Sequence, residues 1–171
     1  DMNIRTLDAW EFEGPTLISH LESIQKHVEQ GITHSEFPIL LGGEHGLLLP
    51  ALKACVTGGI LESLGDLTLV QIDAHADLRD ELNGERFSHG TVVRRCLDEG
   101  LGRVIQIGIR AYSLDEARMM ESDDRISAWL AREIRENEGA IPSIIDCLSE
   151  INGPVWLSID IDALDPSIVP G

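Results

Sequence analysis

Positive charge is what this sequence lacks. Its 171 residues carry 13 Lys and Arg against 30 Asp and Glu, a formal charge of −17, which excludes the basic patch that nucleic-acid binding requires. The same anionic balance favours a small cationic substrate electrostatically, although solubility alone also accounts for it. Cysteine is sparse: Cys55, Cys96 and Cys147 are odd in number and form no C-x-x-C pair. That excludes a secreted disulfide framework and predicts a reducing cytoplasm, with all three thiols acting as small buried hydrophobes. No apolar run is long enough for a membrane span or a signal peptide. Internal repeats, low-complexity tracts and a domain boundary are absent as well, so residues 1–171 read as one domain. Its 43% hydrophobic and 25% charged content is that of an ordinary globular chain able to bury a core.

What is present alternates apolar runs with amphipathic stretches. A short strand is expected over Met2–Thr6. Leu17, Leu21, Ile24 and Val28 recur at helical spacing after Pro15. Phe37–Leu41 is a short strand-like run ending in Gly42-Gly43, and a helix is expected over Leu47–Val56 with Gly58-Gly59 as its stop. Leu67–Ile72 is the clearest strand. Further on come a helix over Thr91–Leu97 and a strand over Val104–Ile107. A helix follows over Ser113–Met120, with Ser113 and Glu116 as a capping box. Ile126–Leu130 is ambiguous, Pro142–Ile151 reads as a helix, and Val155–Ile159 is the last strand. Leu78–Ser88, with Asn83-Gly84, reads as an exposed loop. Near-continuous apolar strands alternating with helices predict an α/β fold, an open parallel sheet with helices on both faces.

In such a sheet all strands point the same way, and ligands bind beyond their carboxyl ends. Three clusters follow expected strands: Gly42-Gly43-Glu44-His45, Asp73-Ala74-His75-Ala76-Asp77 and Asp160-Ile161-Asp162. Taken singly, each has a plain reading. A lone His after Gly-Gly is ordinarily a turn or core residue, and a lone Asp-x-Asp a cap or solvated turn. Together, on one edge, His45, Asp73, His75, Asp77, Asp160 and Asp162 amount to four carboxylates and two imidazoles. Such acids repel in a partly dehydrated pocket unless cations offset them. Oxygen and imidazole donors suit Mn²⁺, with Zn²⁺, Co²⁺ and Ni²⁺ as substitutes, and the absence of Cys argues against structural zinc. Two such ions would lower the pKa of a bridging water towards neutrality.

These three clusters, the last extended to Ser158–Pro166, resemble the signatures of the ureohydrolases, the arginase and agmatinase family. His89-Gly90-Thr91 and Gln106–Arg110 extend the likeness along nearly the whole chain. The resemblance implies an arginase-like three-layer α/β/α fold and two Mn²⁺ per subunit. His45, Asp73, Asp77 and Asp160 would hold one ion and Asp73, His75, Asp160 and Asp162 the other, Asp73 and Asp160 bridging. Hydroxide would attack a guanidinium carbon, releasing an amine and urea, with Asp77 orienting it and His89 shuttling protons. Read from the residues alone, His89 is equally a helix-capping loop residue.

Glu44 and the run Gly108–Ser113 resemble agmatinases more than arginases, implying agmatine as substrate and putrescine as product, a step of polyamine biosynthesis. Arginase, guanidinobutyrase and formimidoylglutamase share the metal chemistry. From other classes, a zinc deacetylase of related fold or a non-catalytic relative remains open. Family members commonly form trimers or hexamers, so a homo-oligomer is expected. Two departures stand out. Gly46 replaces the usual Ser after the first-motif His. The sequence also opens at Asp1 and closes at Val169-Pro170-Gly171, where the family continues into a Gly/Thr/Pro-rich loop and a later acid that binds the guanidinium. The expectation is therefore a fragment truncated at both ends, with every metal ligand, part of the substrate pocket missing, and little or no activity of its own.

Overall fold

A computed structural model describes residues 6–11, 14–32 and 37–169; of the strand expected over Met2–Thr6, residues 2–5 lie outside them. In chain order the elements are α1 Leu17–Gly31, α2 Leu48–Thr57, β1 Thr68–Ile72, α3 Val92–Asp98, β2 Arg103–Ile109, α4 Leu114–Ser122, β3 Ile126–Leu130, α5 Ala131–Glu136, α6 Ala140–Ser149 and β4 Val155–Ile159. The four strands form one parallel sheet in the order β3-β2-β1-β4. Local chemistry fixes several boundaries. Thr16 accepts from the Ser19 N–H to start α1, and the Ser113–Glu116 capping box starts α4 as its sequence predicts. The ambiguous run 126–130 is a strand, and α5, whose polar sequence buries no side chain, was not legible at all.

Strand order and helix placement are one fact. The chain steps from β1 to β2 to β3 in one direction, and α3 and α4 cross on the face that carries Leu69 and Val104. Val92, Val93, Cys96 and Leu97 pack there with Leu48, Leu49 and Leu52, and Met119 and Met120 join them. Burying a side chain such as Leu52 or Leu69 completely is worth roughly 1.5–3 kcal/mol. From β3 the chain returns past β1 to reach β4, and a right-handed crossover must then use the opposite face. α5 packs there on β2 and β3, and the Arg103 guanidinium lies 3.1 Å from Cys147 of α6. Cys147 is thus only partly buried, unlike Cys55 and Cys96. The direction reverses between β1 and β4, so their carboxyl ends flank the crevice where sheets of this kind bind ligands.

One expected strand is not there. Residues 37–42 form no strand: Phe37, Ile39 and Leu41 are 89%, 75% and 95% exposed. Apolar residues make a strand only where a neighbouring strand supplies backbone partners, and none among the described residues lies alongside. β4 is accordingly an edge, with Val155, Leu157 and Ile159 exposed on the face opposite the main core.

Candidate metal centre

The six acids and imidazoles singled out from the sequence converge, although the first cluster arrives by another route. Glu44 leads into a 3₁₀ turn, His45–Leu47, which runs straight into α2. The apolar face of α2 anchors that turn against the core, and His45 reaches across to the two strand ends. Its Nδ1 lies 2.7 Å from Asp77 Oδ2 and 3.3 Å from Asp73 Oδ2, and its Nε2 2.9 Å from Ser158 Oγ. On the other side His75 Nδ1 lies 2.9 Å from Asp162 Oδ2 and 3.6 Å from Asp73 Oδ1.

Backbone geometry explains why these side chains stay together. The Asp73 N–H donates to the Ile107 carbonyl, and the Arg110 and Ala111 N–H groups to the Ala74 carbonyl, so β2 guides the chain past the end of β1. Gly108, at φ +94°, makes the bulge this requires; a Cβ there would stand 3.3 Å from the Asp73 carbonyl oxygen. Asp77 has φ 55°, unusual for a non-glycine residue, and its carbonyl accepts the N–H groups of Val93 and Arg94 at the start of α3. Left-handed backbone held in place by its surroundings gathers at functional sites. After β4, Asp160 Oδ1 accepts the Asp162 N–H, and the Ala74 N–H donates to Asp162 Oδ1. Arg110 donates to the carbonyls of Asp162, Ala163 and Leu164 at 2.6–3.4 Å, tying this turn to the end of β2.

Electrostatics single out His45. Burial lowers its pKa, but hydrogen bonds and charge from Asp73 and Asp77 outweigh that and raise it from 6.5 to about 10. Burial pushes the Asp77 carboxyl up, more than the hydrogen bond and charge of His45 bring it down. Asp73 is buried too, yet His45, the His75 N–H and the Gln71 amide bring it below the ordinary range. Asp162 is raised by burial first and then by the charges of Asp160 and Asp73. Among the described residues, no Lys or Arg pairs with Asp73, Asp77 or Asp162; the basic side chains beside them are the imidazoles of His45 and His75. A cluster of acids so poor in cations has the chemistry of a divalent-ion site. Ligand atoms of His45, Asp73 and Asp160 lie within 4.8 Å of one another, as do those of Asp73, His75 and Asp162. Asp73 belongs to both groups, and the oxygen and imidazole donors fit Mn²⁺.

His89 stands apart from the six, in a 3₁₀ turn (His89–Thr91) ahead of α3. It is exposed at the rim, its Nδ1 3.3 Å from Glu44 Oε1. Gly46 matters here: a Cβ on it would meet Glu44 Oε2 at 2.5 Å, so the glycine leaves the room that Glu44 fills. Arg95 of α3, almost fully buried, fastens the preceding loop through Asp80 at 2.7 Å and pairs within its own helix with Asp98 at 2.9 Å. Sequence reasoning missed Ser158 as a partner of His45 and Gln71 as a partner of Asp73. The available signal was a polar residue inside an apolar strand, since a buried amide needs a reason to be there.

An α/β sheet whose reversal point carries two acid–imidazole groups sharing one aspartate belongs to the class of parallel sheets with the donor set of a divalent-cation site at their carboxyl edge. The chain belongs to the arginase family, whose family model matches residues 1–171. It is 38% identical over 158 residues to the mitochondrial agmatinase of Gallus gallus, covering 88% of this chain and 43% of that protein. To the guanidinobutyrase of Pseudomonas aeruginosa it is 33% identical over 174 residues, covering 91% and 48%. A formiminoglutamase from Trypanosoma cruzi, solved with Mn²⁺, shares the fold with a TM-score of 0.74 at 23% identity, covering 93% of this chain and 53% of that one. The chain thus spans about half the length of the relatives it matches. No helix among the described residues is long and apolar enough to cross a membrane.

Proposed function

We propose that the protein carrying this chain is a binuclear manganese ureohydrolase that converts agmatine to putrescine and urea. The observation that carries this reading is the sharing of Asp73 between two ligand groups. His45, Asp73, Asp77 and Asp160 would hold one ion, and Asp73, His75, Asp160 and Asp162 the other, with Asp73 and Asp160 bridging. When bound, such an ion pair supplies hydroxide near neutral pH.

The protein's own groups do the rest. Asp77, whose carbonyl is held by the N–H groups at the start of α3, would orient the attacking water and accept a hydrogen bond from it. His89, exposed at the rim beside Glu44, carries protons between this crevice and solvent, a task suited to imidazole. The anionic surface and the rim acids attract a guanidinium cation and exclude anions. Glu44 and the run Gly108–Ser113 resemble agmatinases, and the avian agmatinase supports the same substrate. The chain is read as a single ureohydrolase-like domain of a cytoplasmic homo-oligomer, a trimer or hexamer, acting in polyamine biosynthesis.

Guanidinobutyrase is the second reading, favoured by the bacterial relative; arginase and formimidoylglutamase follow by shared chemistry. A one-metal deacetylase fits less well, because two ligand groups are present rather than one. The test uses the full-length protein stripped with chelator and reloaded with Mn²⁺. Bound manganese is counted per chain, and urea is followed with agmatine, arginine and 4-guanidinobutyrate side by side. Two ions per chain and urea from agmatine above the others are expected. One ion per chain at saturation, or no urea from any guanidino compound, would sink the proposal.

A further inference from the structure

The sheet face that carries the main core changes chemistry at one register. Leu69, Val104, Ile126 and Trp156 lie side by side in the apolar layer. One same-face step nearer the acids stand Gln106, Gln71 and Ser158, paired across β2, β1 and β4. Gln71 and Gln106 are fully buried. Enclosing two primary amides is unfavourable unless hydrogen bonds compensate, and the bonds they make all run one way. The Gln106 Nε2 donates to Gln71 Oε1 at 2.7 Å and to the Ala76 carbonyl at 2.7 Å. The Gln71 Nε2 donates to Asp73 Oδ2 at 2.9 Å and to the His75 carbonyl at 3.2 Å. Gln106 Oε1 is left buried with no partner, so the pair is not arranged for its own satisfaction.

We infer that Gln106 and Gln71 form an amide relay whose purpose is to aim the Asp73 carboxylate at its cations. Gln71 is a positioning residue for Asp73, and Gln106 is a positioning residue one step further back. With its oxygen engaged by Gln106, the Gln71 amide can offer Asp73 only its N–H side. Turned over, it would set a carbonyl oxygen against a carboxylate. Asp73 Oδ1 is meanwhile held by the His75 N–H at 2.7 Å. Apart from His45, itself among the proposed ligands and 3.3 Å from Oδ2, one donor on each oxygen fixes the carboxylate plane. That leaves the other side of each oxygen to the ions and their ligands, as partners behind a ligand do in metal sites generally. Ser158 in the same row stands behind His45 in the same way, at 2.9 Å from Nε2.

The inference rests on the divalent-ion reading of the site, and the test separates the two. In the full-length protein Gln106→Met and the double variant Gln71→Met/Gln106→Met are compared with the parent for Mn²⁺ affinity and for melting without cations. Gln106→Met touches no ligand, yet it orphans Gln71 Oε1. Its cation-free melting should fall, and its Mn²⁺ affinity should drop about tenfold or more. The double variant relieves the orphaned Gln71 Oε1 but takes the donors from Asp73 Oδ2 and from the His75 and Ala76 carbonyls, so its cation-free melting should also fall. Its affinity should fall at least as far as that of Gln106→Met, whichever of the two variants melts lower. Parent-like affinity in either variant overturns the relay, as does affinity that simply follows melting temperature in both. A parent protein that binds no Mn²⁺ overturns the metal reading itself, and the relay with it.

Discussion

Replacing Asp73 by Asn keeps the shape of the side chain and removes its charge and one acceptor. Asp73 is 1% exposed, takes the His75 N–H on Oδ1 at 2.7 Å and the Gln71 amide on Oδ2 at 2.9 Å, and faces His45 Nδ1 at 3.3 Å. An amide offers one acceptor oxygen, so its NH₂ must meet one of those N–H donors head on. A buried donor left without a partner costs about 1–3 kcal/mol. In a chain of this length each kcal/mol moves the melting point by roughly 2–4 °C, so the cation-free Asp73→Asn protein should melt roughly 2–12 °C lower. Because Asp73 is common to both ligand groups, Mn²⁺ binding should weaken for both ions together. His45→Ala should weaken one and spare the other. Calorimetry in chelator reads the first effect, and manganese titration with counting of bound ions reads the second. An Asp73→Asn protein that melts with the parent and still takes two ions at parental affinity would refute the assignment of Asp73 as the shared ligand.

Three further outcomes follow from the same geometry. His45 holds its proton up to about 10 when cations are absent, so Mn²⁺ uptake should release about one proton there below that pH, seen as buffer-dependent heat in isothermal titration. The sign for stability is that of a raised basic group: its contribution to the cation-free protein is full below about 6.5 and lost as pH rises through about 10. Denaturant midpoints that rise across that window would contradict it. Arg110→Ala removes the three contacts that tie the turn carrying Asp162 to β2. Amide exchange over residues 161–164 should quicken while β1 stays protected; unchanged exchange would show that the turn holds itself.

The residues that could meet a cation were legible in the sequence, because their spacing is a local property. Asp73-x-His75-x-Asp77 and Asp160-x-Asp162 end apolar runs, and a parallel sheet sends such ends to one edge. The sheet itself was legible for the same reason, since Leu67–Ile72 and Val155–Ile159 are runs that neither water nor one exposed face explains. Other features depended on what lay alongside. Phe37–Leu41 has the composition of a strand and is not one here, because a strand needs a neighbour's backbone and composition supplies none. His45 reached the site through α2 rather than through that strand. Nothing local marks Gln71 and Gln106 as a pair 35 positions apart; register across β1 and β2 decides it. Nor does an Arg at 110 reveal that its guanidinium will span to the carbonyls beyond β4. The sequence determined which groups could bind a cation and on which edge they would fall. Only the tertiary structure decided which oxygen faces which nitrogen, because hydrogen bonds act over about 3 Å and such distances are set by packing between strands, not along one.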